Sequence, residues 1–186
     1  MPNIEAGYRH LLPWFLPGLA VFVVLGLAMA RRFAGLLRTH FGVAFALVVG
    51  FGIIVSATLT PLRGQLNLAA AGGTCDLSRM GPAPIHDLLH IDDTSLNIAM
   101  FVPLGIALGL LRRSRRTAAL ILAAIALPIA IETIQLLVPS IERGCQSADV
   151  FDNLTGLAVG LALGIAGRWL AGTSTMSRSG CGARPE

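Results

Sequence analysis

Five apolar runs, each long enough to cross a bilayer as a helix, constrain this chain more than any other feature of it. They cover approximately residues 12–30, 42–59, 95–111, 118–138 and 150–171. A helix rises about 1.5 Å per residue, so about 20 residues traverse a hydrocarbon core roughly 30 Å thick. Backbone polar groups find no water at that depth, which makes the helix the spanning form for runs of this length. Composition agrees. Apolar residues make up 54% of the chain and charged residues 13%, against about 25% charged in a soluble domain. That is too little polar surface to cover a water-soluble globule, and too many aliphatic residues for a disordered chain. The expected fold is all-α: a polytopic bundle of about five transmembrane helices forming one domain over residues 1–171. A small, polar, unstructured tail is expected over 172–186.

All fourteen basic residues are Arg, and the formal net charge is +4. Such a total would suit nucleic acid, but its distribution argues otherwise. In a five-span arrangement Arg31, Arg32, Arg38, Arg112, Arg113, Arg115, Arg116, Arg168, Arg178 and Arg184 share one side, and only Arg9, Arg63, Arg79 and Arg143 fall on the other. The positive-inside rule makes the first side cytoplasmic. The N-terminus and the loops over residues 60–94 and 139–149 are then outside, and the C-terminus is in the cytoplasm. The basic charge is topological, so the expected partner is the lipid bilayer and not nucleic acid. Ala28-Met29-Ala30 has the form of a signal-peptide cleavage site, but cleavage there would leave Arg31 and Arg32 outside, against the charge rule.

This topology puts Cys75 and Cys145 in the two outer loops and Cys181 in the cytoplasmic tail. Oxidation is permitted only outside, which predicts a Cys75–Cys145 disulfide tying the long outer loop to the short one. The alternative is two unrelated small residues. His86 and His90 have the i, i+4 spacing of a helical metal site, but no third ligand is fixed, and neither a metal nor a cofactor is assigned.

Within apolar spans the informative residues are polar, since a charge at mid-helix is costly and rarely faces lipid. Glu132 and Gln135 lie three apart on one face of the fourth span. Asn97 opens the third span, Asp149, Asp152 and Asn153 open the fifth, and Arg143 stands between the fourth and fifth. All belong to the outer end, so Asn97, Glu132, Gln135, Arg143, Asp149 and Asn153 define one candidate polar site. Arg143 is the expected ion partner of Glu132, with Gln135 and Asn97 as donors. Three readings stay open: a salt bridge folding the short loop onto the bundle, a binding site for a polar or anionic group, and proton transfer or catalysis. On the fifth span Gly156, Gly160, Gly164 and Gly167 share an arc of about 80° with Asp149 and Asn153, a groove for close helix packing. Ala158, Ala162 and Ala166 form a second smooth face, which suggests an interior helix. Pro103 and Pro128 permit kinks. Asn153-Leu154-Thr155 is a formal glycosylation triplet at the membrane boundary, a poor place for its use.

Two stretches resemble the VanZ-like family of membrane proteins. One is Asn97-x3-Phe101-x-Pro103-x-Gly105. The other is Glu132-x2-Gln135, Arg143 and Asp149-x3-Asn153-x2-Gly156-x3-Gly160, with Ser147 where the family pattern carries a further Asp. Together they span about residues 93–164; the first two spans match only by being apolar and by the ending Thr58-Leu59-Thr60-Pro61. The resemblance implies an integral protein of the bacterial plasma membrane, from a family named for association with teicoplanin resistance, and it implies no established reaction. The expected role is binding or handling of a cell-envelope component or glycopeptide at the outer face. The alternative is a membrane enzyme acting on a lipid-linked envelope precursor, with Glu132 or Asp149 as general base.

Overall fold

The computed structural model describes residues 14–60, 74–84, 92–141 and 143–179, with side chains to 171. Five helices are long and apolar enough to cross a membrane: α1 (Phe15–Leu37), α2 (Phe41–Thr58), α3 (Asp93–Leu110), α4 (Arg115–Leu137) and α5 (Ser147–Ser179, its spanning part Ser147–Ala171). Between α2 and α3 lies the two-residue strand β1 (Cys75–Asp76). Between α4 and α5 lie a 3-10 turn (Pro139–Ile141) and β2 (Cys145–Gln146). The two strands pair in parallel, Cys75 opposite Cys145 and Asp76 opposite Gln146, and a disulfide joins the two cysteines.

The chain alternates direction, so one end of the bundle collects the α2 and α4 C-termini, the α3 and α5 N-termini and both strands. We call it the disulfide end. The opposite end collects the Arg residues of the α1–α2 and α3–α4 turns, and we call it the arginine end. Exposed Trp14 and Trp169 stand at the two ends, as the aromatic residues of a membrane–water interface do. Large apolar side chains such as Val24, Leu122, Ile129 and Leu163 are exposed along the helices, the pattern of a bundle whose outer solvent is hydrocarbon.

Packing is deepest between α3 and α5. These helices run parallel, since Ile98, Val102 and Ile106 meet Gly156, Gly160 and Gly164 in ascending order. A Cβ on Gly105 would stand 2.6 Å from the Leu157 carbonyl oxygen, and one on Gly109 would stand 2.5 Å from that of Leu161. Equivalent atoms on Gly156, Gly160 and Gly164 would strike the Ile98, Val102 and Ile106 carbonyls. Two glycine rows therefore let the backbones touch, the means by which helices associate where no hydrophobic drive exists between them. The buried core continues through Ile54, Phe101, Leu104, Leu108, Ile131 and Leu157, so α2 and α4 pack around this pair, while α1 packs on α2 and is the least buried span.

Local chemistry explains the boundaries. Asp92 and Ser95 form a capping box, each side chain bonded to the other's backbone N–H at 2.9 and 3.0 Å, so the polar start of the third span is a helix cap. Ser114 caps α4 through the Thr117 N–H. Both α3 and α4 continue through Pro103 and Pro128.

Two expectations need correction. The sequence predicts a loop from residue 31, but α1 continues to Leu37 because Arg is a good helix former and a helix does not stop where hydrocarbon ends. Ala158, Ala162 and Ala166 are exposed, not interior; the glycine row takes α3, which leaves the alanine face outward. Helix α5 is described to Ser179, and its membrane-spanning part ends at Ala171. Residues 180–186, with Cys181, lie outside the described residues, as do His86 and His90.

Replacing Gly109 or Gly164 by Ala should lower stability by about 1–3 kcal/mol, as overpacking does. Gly35→Ala, with open space around it, should lower nothing. Thermal unfolding in detergent reads the difference.

Candidate functional site

At the disulfide end the α2 helix stops at buried Thr58, between half-buried Ala57 and Thr60. The carbonyls of a helix C-terminus have no intrahelical donor and take donors from elsewhere. Gln135 Nε2 donates to the Thr58 carbonyl at 3.0 Å. The Arg143 guanidinium donates through Nε to the Thr60 carbonyl at 3.5 Å and through a terminal nitrogen to the Ala57 carbonyl. A planar fork with several fixed donors suits this task better than an ammonium. The expected ion pair between Arg143 and Glu132 is therefore absent among the described residues: the carbonyls take the fork. Burial lowers the Arg143 pKa from its ordinary value, and the carboxylates of Asp149, Asp93 and Glu132 act against that shift.

Glu132 is buried on α4, and its carboxylate accepts from the Gln146 backbone N–H at 2.7 Å. The link from α4 to α5 is thus drawn onto the helix it leaves. Asn97 Nδ2 donates to Asp149 at 2.7 Å, pinning α3 to α5 beside the first glycine contact, which Ile98 makes with Gly156. Neither Asn97 nor Gln135 donates to Glu132, contrary to the sequence-based expectation. Each instead satisfies an oxygen on its own level of the bundle.

Two partners escaped the sequence reading. Arg79 pairs with the fully buried Asp152 at 2.5 Å, and its carbonyl accepts from Ser147 Oγ at 2.8 Å. The segment after β1 is therefore fastened over the α5 N-terminus by the disulfide, the strand pair and this ion pair. A signal existed: Asp152 lies one turn beyond Asp149 on the same face, and Arg79 follows Cys75 by four residues. The second omission was the set of backbone acceptors at Ala57, Thr58 and Thr60, foreshadowed only by Pro61 after the helix.

The site is rich in acceptors. Buried Ser56 Oγ, Gln135 Oε1, Asp152 Oδ1 and Asn153 Oδ1 have no hydrogen-bond partner among the described residues. Asn153 is 1% exposed, which removes it as a glycosylation target in the folded chain. Six carboxylates (Asp76, Asp92, Asp93, Glu132, Asp149, Asp152) face two guanidinia among the described residues of this end, and both guanidinia are engaged. Chemically this layer can take hydrogen-bond donors or positive charge and is unsuited to anions. Among the described residues no group of three or more His, Cys, Asp or Glu side chains is placed to hold a metal ion.

The VanZ/LLP1 family model matches residues 56–168, more than half of the chain. The chain belongs to the VanZ/LLP1 family. Comparison with curated proteins and with solved structures returned no match. The VanZ/LLP1 match begins at Ser56, where the α2 end enters the layer just described, and includes every side chain of it. Helix α1 and most of α2 lie before the match.

Arg143→Ala should lower stability by about 1–3 kcal/mol for each carbonyl left without a donor. Arg143→Lys should recover part of that loss, because a point charge cannot bridge two carbonyls. Melting of the three proteins in one detergent checks the order.

Proposed function

We propose that the disulfide end faces outward from a bacterial plasma membrane, and that its polar layer binds a hydrogen-bond-donating group of a cell-envelope component or glycopeptide. The observation that carries this reading is the excess of acceptors at this end: six described carboxylates against two guanidinia, both already engaged. A ligand bringing N–H or ammonium groups would gain from that excess, since a hydrogen bond to a charged group is worth about 1.5–3 kcal/mol. Two features support the orientation. A disulfide belongs to an oxidising compartment, and Arg residues dominate the opposite end. Family membership supports the choice of envelope component, through the family's association with teicoplanin resistance.

Teicoplanin is the probe for a direct test on the purified full chain in detergent. Asp149→Asn removes one carboxylate of that excess from a half-buried position while keeping the side-chain shape. It should weaken teicoplanin binding about ten-fold or more, the worth of a hydrogen bond to a charged group. The same variant should lose any protection of cells against the drug. Unchanged binding and protection in Asp149→Asn and Glu132→Gln would refute the reading. Turnover of a lipid-linked precursor that depends on Glu132 or Asp149 would replace binding by catalysis.

A further inference from the structure

The arginine end holds a site of opposite character. A crevice of about 470 Å³ opens between the α1–α2 turn and the α3–α4 link, lined by Arg38, Arg112, Arg113, Arg115 and Arg116. Every carboxylate among the described residues lies at the disulfide end of the bundle, and the ion pair found among them is Arg79–Asp152, also at that end. Arg116 donates to the Leu36 carbonyl at 2.5 Å and so closes the end of α1. Arg38, Arg112, Arg113 and Arg115 line the crevice with no carboxylate beside them among the described residues.

Positive-inside topology requires only a number of basic residues in short loops and does not require them to converge. Here Arg38 of one link and Arg112, Arg113, Arg115 and Arg116 of the other line one crevice. Arg38 ends α1 in the left-handed conformation with φ 51°, where Gly is the usual residue because a Cβ is strained. The first turn of α4 adds the positive end of a 23-residue helix, and its capping Ser114 lines the same crevice. Apolar Leu36 and Leu37 form part of the wall.

We propose that this crevice binds phosphate, carried by an anionic phospholipid headgroup or by free phosphate. Guanidinium forks meet phosphate oxygens two at a time, the helix end adds its dipole, and Leu36 with Leu37 lies where a glycerol and acyl stem would pass. Headgroup sites of this kind form from basic pockets between spanning helices. The site is separate from the polar layer and depends on nothing assigned to it.

The full chain in detergent, analysed by native mass spectrometry with phosphatidylglycerol or phosphatidylcholine and by calorimetry with inorganic phosphate, tests this. Wild type should retain phosphatidylglycerol over phosphatidylcholine, or bind inorganic phosphate; which of the two binds identifies the source. Arg113→Gln with Arg115→Gln should reduce that binding about 25-fold, at about five-fold per arginine. Arg38→Gly should reduce it about five-fold while folding at least as well, because glycine relieves the left-handed turn. Equal retention of both lipids with no phosphate binding would overturn the proposal. So would wild-type binding by a folded Arg38→Gly or double-Gln protein.

Discussion

A helix leaves its last carbonyls without intrahelical donors, and this bundle supplies the missing partners from neighbouring helices and links. Arg143 and Gln135 close α2, Arg116 closes α1, and Arg168 donates to the Leu111 carbonyl where α3 stops. Each contact crosses from one helix or link to another. Satisfying the backbone therefore also sets which helices are neighbours.

The second determinant is the glycine seam. Contact between α3 and α5 backbones removes the freedom to slide, and the Asn97–Asp149 hydrogen bond sits beside the first contact at Ile98 and Gly156. The seam consequently fixes the height at which Asp149, Asp152 and Asn153 face α4. Glu132 meets them only because its carboxylate holds the Gln146 N–H and shortens the path from α4 to α5. A disulfide and the Arg79–Asp152 pair then fasten the segment after β1 across the same end. Close packing and polar clustering are two consequences of one parallel helix pair.

The number of spans, their approximate limits and the polar positions were legible because each depends on local composition. Glycine spacing on the fifth span pointed to a close approach, although its partner row, Gly105-x3-Gly109, went unread. Partnerships were harder. Arg143 looks like the counterion of Glu132 from adjacency in sequence, yet the structure spends its donors on backbone oxygens that no side-chain inventory contains. Burial on α5 was misassigned for a related reason: glycine and alanine rows are equally smooth, and only the presence of α3 decides which one turns inward. Arg79 with Asp152 required knowing that residue 75 lies beside 145, a contact spanning 70 positions.

Charge segregation is the thread joining these features: described carboxylates gather at the disulfide end and most arginines at the other, and the functional reading requires the carboxylates to face outward. Thiol labelling in intact cells of a bacterial host tests that requirement directly. After mild reduction, a membrane-impermeant maleimide should reach the partly exposed Cys75 from outside, with Cys181 labelled only once the membrane is permeabilised. Labelling of Cys181 in intact cells, with Cys75 protected until permeabilisation, would contradict the account.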